Sequence, residues 1–250
     1  MPTGPEQVDG ASRLLAGPAP WAGLAPERRR PIRLGAVVEA LGAAGQRGSA
    51  PGSSAPSEPL SGWLRLLAPS VSVSTSNPAA VLVALFEEAG EARVVLTRRS
   101  SELRTHRGQV SLPGGRLDPG EDAAEAAVRE AGEEIGLDAG AVEIVGWLHP
   151  LLTGSGESLV LPVVGTMARR PTLAPNPAEV ARVFDVELAE LVEEGVFQAA
   201  IWDPYEAWSQ EEPAARTIWF FGLDGERVWG ATARILHELA LLSLGVEAVG

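Results

Sequence analysis

After residue 77, short runs rich in Val, Leu and Ile alternate with segments rich in Ala, Glu and Leu. Apolar runs of about four to eight residues between Gly, Pro or acidic turns predict strands, whereas the longer periodic segments predict helices. The predicted strands are 80–86, 93–97, 109–112, 142–148, 159–166, 179–186 and 217–223, and the predicted helices are 121–135, 189–194 and 231–244. Pro113, Gly114 and Gly115 should end the third strand, and Gly136 should cap the first of these helices. Strands on both sides of one central helix predict a compact mixed α/β sandwich.

The first 77 residues have a different texture. Within 41–60, 15 of the 20 residues are Gly, Ala, Ser or Pro, which predicts a flexible linker. Short amphipathic helices are predicted at 32–44 and at 60–67, where the second could dock on the main domain. We therefore expect an N-terminal extension over 1–77 and one main domain over 78–250.

Composition narrows the class of protein. The net charge of −13 argues against a nucleic-acid binder, which usually has a basic surplus. No apolar run is long enough to span a membrane, the first residues lack the layout of a secretory signal, and no cysteine is present, so we expect a cytoplasmic location. The absence of lysine excludes Schiff-base and P-loop chemistry. The quaternary state stays open, and a homodimer is compatible with the sequence.

Three glutamates are spaced to act together on the predicted helix 121–135. Glu130, Glu133 and Glu134 stand at i, i+3 and i+4, so their carboxylates should project from one face within one turn. Such a cluster is repulsive unless a hard cation such as Mg²⁺ or Mn²⁺ neutralises it. Arg129 stands four residues before Glu133 and can orient that carboxylate.

The alternative interpretation is an ordinary solvated acidic helix face. Two features argue against it. Gly132 interrupts a run of strong helix formers at a cost of about 1 kcal/mol relative to Ala, which close packing or ligand approach would explain. In addition, Gly114 and Gly115 precede the carboxylates at a fixed offset, and glycine lets a backbone carbonyl approach a metal ion closely.

The segment 115–137 resembles the Nudix box, with every defined position of that pattern filled. The resemblance implies a loop–helix–loop motif on an α/β/α sandwich with a mixed sheet, and hydrolysis of a nucleoside diphosphate linked to another group. It implies that Glu130, Glu133 and Glu134 bind Mg²⁺ or Mn²⁺, that Arg129 orients them, and that Glu121 supports them from the same helix. The alternative for Glu121 is a favourable charge in the first helical turn.

A bound metal would activate a water molecule, and a carboxylate would take its proton. The family varies in which carboxylate does so, and Glu133, Glu134 and Glu179 are all candidates here. Glu179 lies in a later loop, Asn176-Pro177-Ala178-Glu179-Val180, and its alternative is an ordinary surface acid.

Residues 98–107 contain four arginines and one acid, a basic stretch in an acidic protein. Arginine suits phosphate groups, although the alternative is solubilising charge at a strand end. The run resembles the signature that precedes the box in coenzyme A pyrophosphatases, through Leu96, Thr97, Arg99, Ser100, Arg104, Gly108, Pro113, Gly114 and Gly115; Val95 and Leu112 depart from it. The resemblance implies a CoA-like small-molecule substrate, with Arg99, Arg104, Gly114 and Gly115 in substrate binding.

Other interpretations stay open. ADP-ribose, NADH or another nucleotide could be the substrate, and a catalytically silent module that binds a nucleotide is a further alternative. His106 could assist catalysis, although a lone loop histidine is more often incidental. Trp147, Trp202, Trp208, Trp219 and Trp229 could stack on an adenine, although most should pack in the core or at its edge.

Overall fold

The structure is a computed structural model that describes residues 12–14, 18–44, 78–103, 106–153, 158–202 and 216–246. Its strands are β1 (Ser12–Leu14), β2 (Ala79–Glu88), β3 (Glu91–Arg99), β4 (Val110–Ser111), β5 (Gly114–Arg116), β6 (Glu143–Trp147), β7 (Leu151–Thr153), β8 (Ser158–Met167), β9 (Val180–Glu187), β10 (Phe197–Trp202), β11 (Arg216–Leu223) and β12 (Glu226–Trp229). Its α-helices are α1 (Pro26–Arg29), α2 (Leu34–Ala43), α3 (Ala123–Ile135), α4 (Leu188–Leu191) and α5 (Gly230–Leu244).

The strands form two sheets. The larger, eight-stranded sheet is mixed, because β2 runs parallel to β8 and antiparallel to β3 and β5. Its main path is β4-β3-β2-β8-β6, with β9 paired to β3 and β7 paired to β8. The smaller, four-stranded sheet is antiparallel in the order β1-β10-β11-β12. The predicted fold class, a mixed α/β sandwich, is confirmed.

Helices cover both faces of the larger sheet. Four alanines and Ile135 of α3 are buried against Ala80, Leu82 and other residues of one face. On the opposite face, α2 and α5 bury their apolar residues together with Val83, Leu85 and Phe221. Small alanine side chains let α3 lie close to the sheet. The helical turn that carries Glu130, Glu133 and Glu134, called the acidic turn below, therefore has its backbone near strand β5.

Local sequence explains why α3 forms. Asp122 caps the helix by accepting from the backbone N–H groups of Ala124 and Glu125, and the Glu125 side chain accepts from the Asp122 N–H in return. This reciprocal capping box satisfies N–H groups that have no partner within the helix. Gly136 ends the helix in the left-handed conformation at φ 64°, as predicted.

The structure corrects several sequence-based boundaries. Gly114 and Gly115 do not simply end a strand, because they form β5 and pair with Val81 and Ala80. Glu121 lies outside α3, before its N-cap, so the prediction that it belongs to the helix or to its first turn is wrong. Short elements that the pattern did not reveal are β1, β7, β10, β12 and α1, since three to six residues give too little periodicity to recognise.

The described part of the N-terminal extension packs against the same core as the strands. The predicted helix at 32–44 is α2, and Trp21, Ile32, Val37 and Leu41 are buried in the core cluster that also holds α5. The predicted linker, beyond its first residues, and the predicted helix at 60–67 lie outside the described residues. The division of the chain at residue 77 stays a prediction.

Ion pairs and backbone hydrogen bonds fix this segment to the hairpin of β2 and β3. The Glu91 carboxylate accepts from the Arg30 guanidinium at 3.2 Å and from the Ile32 N–H at 3.0 Å. The Glu87 carboxylate accepts from the Leu34 N–H at 3.0 Å. Since Leu34 begins α2, these contacts set where the helix starts and how it lies on the sheet.

Removing the buried Leu41 side chain tests this packing. Leu41→Ala should lower the free energy of unfolding by about 2–5 kcal/mol, because it leaves a cavity between α2 and the core. Glu39→Ala, on the exposed side of the same helix, should change it by less than about 0.5 kcal/mol. Denaturant unfolding followed by circular dichroism measures both. Equal stabilities of the two variants would show that α2 does not share the core.

Candidate active site

Glu134 lies at the centre of the site, at the C-terminal end of α3. Its side chain is almost fully buried, with a residue exposure of 3%. One carboxylate oxygen accepts from the Gly114 N–H at 3.2 Å, and the other accepts from the Arg99 guanidinium at 3.3 Å. Gly114 and Gly115 (the glycine loop) and the basic residues 98–107 (the arginine run) therefore meet on one carboxylate.

Burial raises the pKa of Glu134 to about 7. The Gly114 N–H and the Arg99 charge oppose this increase in pKa, while the nearby Glu130 carboxylate adds to it. A buried carboxylate with so high a pKa is stabilised in its charged form by a cation, whether a guanidinium or a metal ion. Arg99 supplies such a cation in the structure.

Glu130 lies one turn earlier, against the glycine loop. A Cβ atom added to Gly115 would stand 2.4 Å from the Glu130 carboxylate, closer than non-bonded atoms approach. Glycine is therefore the residue that leaves room for this carboxylate. Burial is the main cause that raises the pKa of Glu130, and repulsion from Glu133 and Glu179 adds to it, which places Glu179 near the acidic turn.

Arg129 connects the acidic side chains of this region. Its guanidinium donates to both carboxylate oxygens of Glu121 at 2.8 and 3.0 Å, to Glu130 at 3.1 Å and to Glu133 at 3.3 Å. It also donates to the Arg116 carbonyl at 3.0 Å, next to the glycine loop. The predicted pairing of Arg129 with Glu133 is thus present, and Glu121 supports the site through Arg129 from outside the helix. Its hydrogen bond to Arg129 lowers the pKa of Glu121.

The three helix glutamates differ in burial more than their spacing suggests. Glu130 and Glu134 point towards the glycine loop, whereas 59% of the Glu133 side chain is exposed. Among the described residues, no three His, Asp or Glu side chains converge closely enough to bind one metal ion. The donor chemistry still fits a hard divalent cation, since Glu130 and Glu134 are half-buried or buried carboxylates that carry mutual repulsion.

The remaining predicted residues are distributed around this centre. Glu179 is half-buried, and its carbonyl accepts from the Ser100 N–H at 2.7 Å, so its loop is joined to the residue after Arg99. His106 is exposed and contacts Gln109 at 3.0 Å, so the structure gives it no place among the carboxylates. Arg104 lies outside the described residues.

Two sequence-based explanations need correction. Gly114 faces Glu134 with its N–H group rather than offering a carbonyl there, and a Cβ atom on it would lie 2.3 Å from the Ala80 carbonyl. Gly132 has only an ordinary contact, 3.5 Å from its Cβ position to the Leu137 carbonyl, so close packing does not explain it. The contact of Arg99 with Glu134 was not predicted, because the two residues are 35 positions apart and no local pattern connects them.

Gly115→Ala tests whether Glu130 belongs to a metal site. The added methyl group should displace the Glu130 carboxylate and weaken Mn²⁺ binding by at least about tenfold, as changes next to a ligand commonly do. Gly222→Ala is the matched control, because a Cβ atom there meets nothing within 4 Å. Isothermal titration calorimetry with Mn²⁺ measures the affinity, and circular dichroism verifies folding. Unchanged Mn²⁺ affinity in a folded Gly115→Ala protein would exclude Glu130 as a ligand.

Comparisons with known proteins place this geometry in a family. A sequence model described as the NUDIX domain matches residues 76–208. The chain is 39% identical over 148 residues to "Uncharacterized Nudix hydrolase NudL" of Photorhabdus laumondii, covering 59% of this chain and 75% of that protein. NudL of Escherichia coli K12 is 34% identical over 186 residues, covering 73% and 92%.

A plant relative and a solved structure are also similar. "Nudix hydrolase 22, chloroplastic" of Arabidopsis thaliana is 41% identical over 167 residues, covering 65% of this chain and 54% of that protein. The crystal structure of RenU, a Nudix hydrolase from M. smegmatis, has a TM-score of 0.39 and 26% identity, covering 46% of this chain and 72% of that one. The family match over more than half of the chain, joined to the E. coli relative matched over nearly its whole length, shows that the chain belongs to the Nudix hydrolases and is a pyrophosphohydrolase of a nucleoside diphosphate derivative.

Proposed function

We propose that the substrate is coenzyme A or an acyl-CoA, cleaved at its diphosphate to give 4′-phosphopantetheine, or its acyl form, and adenosine 3′,5′-bisphosphate. The observation that supports this proposal is the position of Arg99. It belongs to the run that resembles the coenzyme A pyrophosphatase signature, and its guanidinium lies 3.3 Å from the Glu134 carboxylate at the acidic turn. A residue of that run thus stands where a diphosphate would meet the carboxylates.

Glu130, Glu133 and Glu134 are the proposed ligands of Mg²⁺ or Mn²⁺. A bound divalent cation would neutralise charge on the diphosphate oxygens and lower the pKa of a water molecule. Arg129 holds Glu130 and Glu133 in place through its hydrogen bonds, and the Gly114 N–H orients Glu134. These contacts fix the directions of the carboxylates before any ligand binds.

Glu179 is the proposed proton acceptor. Glu134 already accepts two hydrogen bonds, and Glu133 is held by Arg129. No hydrogen bond or ion pair engages the Glu179 carboxylate among the described residues, although it lies near enough to raise the pKa of both Glu130 and Glu134. An unengaged carboxylate at the edge of the acidic turn can take a proton from an attacking water.

We also propose that the chain is divided into a catalytic domain and an N-terminal extension. Residues 78–250 would form the catalytic domain, with 1–77 as an extension whose α2 packs on it. None of the helices in the described ranges is both long and apolar enough to cross a membrane. A cytoplasmic location and a homodimer stay predictions.

Hydrolysis of a substrate panel tests the proposal. With Mg²⁺ or Mn²⁺, the protein should release adenosine 3′,5′-bisphosphate from CoA and acyl-CoA faster than it cleaves ADP-ribose or NADH. Product identification by liquid chromatography and mass spectrometry measures this. Glu134→Gln should lower kcat by at least about 100-fold, because the amide loses the negative charge at the buried centre of the site.

The outcomes separate the alternatives. Faster cleavage of ADP-ribose or NADH than of CoA would assign the enzyme to another nucleoside diphosphate derivative. Full turnover by Glu134→Gln would remove the proposed metal-ligand role of this residue. A protein that binds these nucleotides without cleaving any of them would be a silent module, against which the retained carboxylate cluster argues.

Neighbouring arginines provide a matched test of the basic run. Arg99→Ala should lower kcat/KM for CoA by roughly 10- to 100-fold, because Glu134 loses its cationic partner and the substrate loses a phosphate contact. Arg98→Ala should leave it near the wild-type value, because Arg98 pairs with Glu226 instead. Steady-state kinetics on both variants measures the difference. Equal losses in the two variants would mean that the run contributes only general positive charge.

A further inference from the structure

A cavity of about 200 Å³ lies between α5, the segment that leads into β7, and β11. Its apolar lining includes Leu151, Ile235 and Leu241, and its aromatic lining is formed by Trp219 and His237. Arg234, His149 and Glu238 also line it. The cavity therefore combines an apolar and aromatic interior with charged groups.

His237 is a buried side chain surrounded by aromatic rings. It is only 9% exposed, and its ring stacks on Trp219 with centroids 4.1 Å apart and planes 14° apart. Trp21 and Phe197 flank it at centroid distances of 5.7 and 5.3 Å. No hydrogen bond joins its nitrogen atoms to another described residue, and the residue lines the cavity, so these nitrogens can bond to a group bound there.

The protonation state of His237 makes it a two-way hydrogen-bonding group. Burial lowers its pKa to about 4, although the neighbouring Glu238 charge acts in the opposite direction. At neutral pH the ring is therefore uncharged, with one nitrogen as a donor and the other as an acceptor. A ligand in the cavity that offers a complementary polar edge would satisfy it.

Arg234 adds a cation to the same cavity. It is exposed, and no carboxylate or carbonyl engages its guanidinium within the described ranges. Glu238, one turn later on α5, accepts from the His149 backbone N–H at 3.0 Å and contacts the His149 ring at 2.7 Å, so its carboxylate is engaged by His149. An unpaired guanidinium in a protein of net charge −13 is available for an anion.

Strand register connects the cavity to the glycine loop. Leu151 pairs with Val160 on β8, Val160 pairs with Ala79 on β2, and Ala79 pairs with Arg116 on β5. Three strand spacings separate Leu151 from Arg116, roughly 14 Å at about 4.8 Å each. Val160 and Ala79 between them are half-buried, so an apolar strip on the α5 side of the sheet extends from the cavity to β5.

We propose that this cavity binds the 3′-phosphoadenosine half of the substrate, with the base inside it and the 3′-phosphate on Arg234. The assignment rests on the proposed coenzyme A substrate. A flat base suits a cavity whose walls are the Trp219–His237 stack and the aliphatic side chains of α5, because aromatic side chains provide stacking surfaces for nucleobases. His237 donates to and accepts from the edge of the base.

Binding of two nucleotides to the full-length protein tests this assignment without requiring turnover. Adenosine 3′,5′-bisphosphate should bind at least about tenfold more tightly than AMP, which lacks the 3′-phosphate, as a charge-assisted contact provides. Arg234→Ala should abolish that difference. His237→Phe, which keeps the stack but removes both nitrogens, should weaken both nucleotides by roughly tenfold. Isothermal titration calorimetry measures all of these affinities.

Arg227→Ala is the matched control for Arg234→Ala. Arg227 is also exposed and lies over the Phe220 ring at 4.1 Å, and it does not line the cavity. This variant should keep the wild-type preference for the bisphosphate. Thermal melting should show that Arg234→Ala is as stable as Arg227→Ala, since both change exposed side chains. Arg234→Ala therefore decides the assignment even if His237→Phe fails to fold.

Three results would overturn the assignment. These are equal affinity of the wild type for the two nucleotides, an unchanged preference in Arg234→Ala, and loss of 4′-phosphopantetheine binding in Arg234→Ala while the bisphosphate still binds. The last would place the other half of the substrate in the cavity. Failure of the proposed function looks different: CoA would not be cleaved, while Arg234→Ala would still remove the preference for the bisphosphate.

Discussion

The burial of one carboxylate, Glu134, is the constraint on which the site depends. An ionised carboxylate loses its hydration when it is buried, and removing one partner of such a group commonly costs about 3–5 kcal/mol. The chain meets this cost with the Gly114 N–H and the Arg99 guanidinium. Both partners must come close, and Gly114 can do so because it lacks a Cβ atom, which would collide with the Ala80 carbonyl. The glycine loop, β3 and α3 are thereby held in one arrangement.

A second arrangement of charges surrounds this centre. Arg129 contacts Glu121, Glu130 and Glu133, so a single guanidinium offsets the repulsion of three carboxylates. Glu130 and Glu134 face inward, while Glu133 is largely exposed. The carboxylate of Glu133 is therefore exposed to solvent, whereas those of Glu130 and Glu134 are partly or almost fully removed from it. A bound cation would stabilise the charged forms of Glu130 and Glu134 most, because burial raises the pKa of both carboxylates.

The sequence predicts α3 well because everything that forms it is local. Asp122 and Gly136 cap the helix, and the glutamate spacing is a property of the helix itself. The apolar runs 80–86 and 93–97, separated by an acidic turn, likewise predict the strands β2 and β3. Contacts between distant segments are not predictable in this way: neither the approach of Arg99 to Glu134 nor the pairing of Gly114 with Val81 has a local signal. The pairing of Glu121 with Arg129 is not predictable either, because it depends on the conformation of the loop before α3.

Helix α5, on the face of the sheet opposite α3, is connected to the active site by a hydrogen bond. Thr232, in the first turns of α5, donates to the Val110 carbonyl on β4, and β4 pairs with β3 just before Arg99. Helix α5, which lines the cavity that contains His237, is thus linked through β4 to β3, the strand that carries Arg99. This hydrogen bond limits the movement of the start of α5 relative to β4. A group bound against α5 would therefore have a defined position relative to Glu134, and a hydrolase that holds both halves of its substrate needs such a position to place the scissile bond.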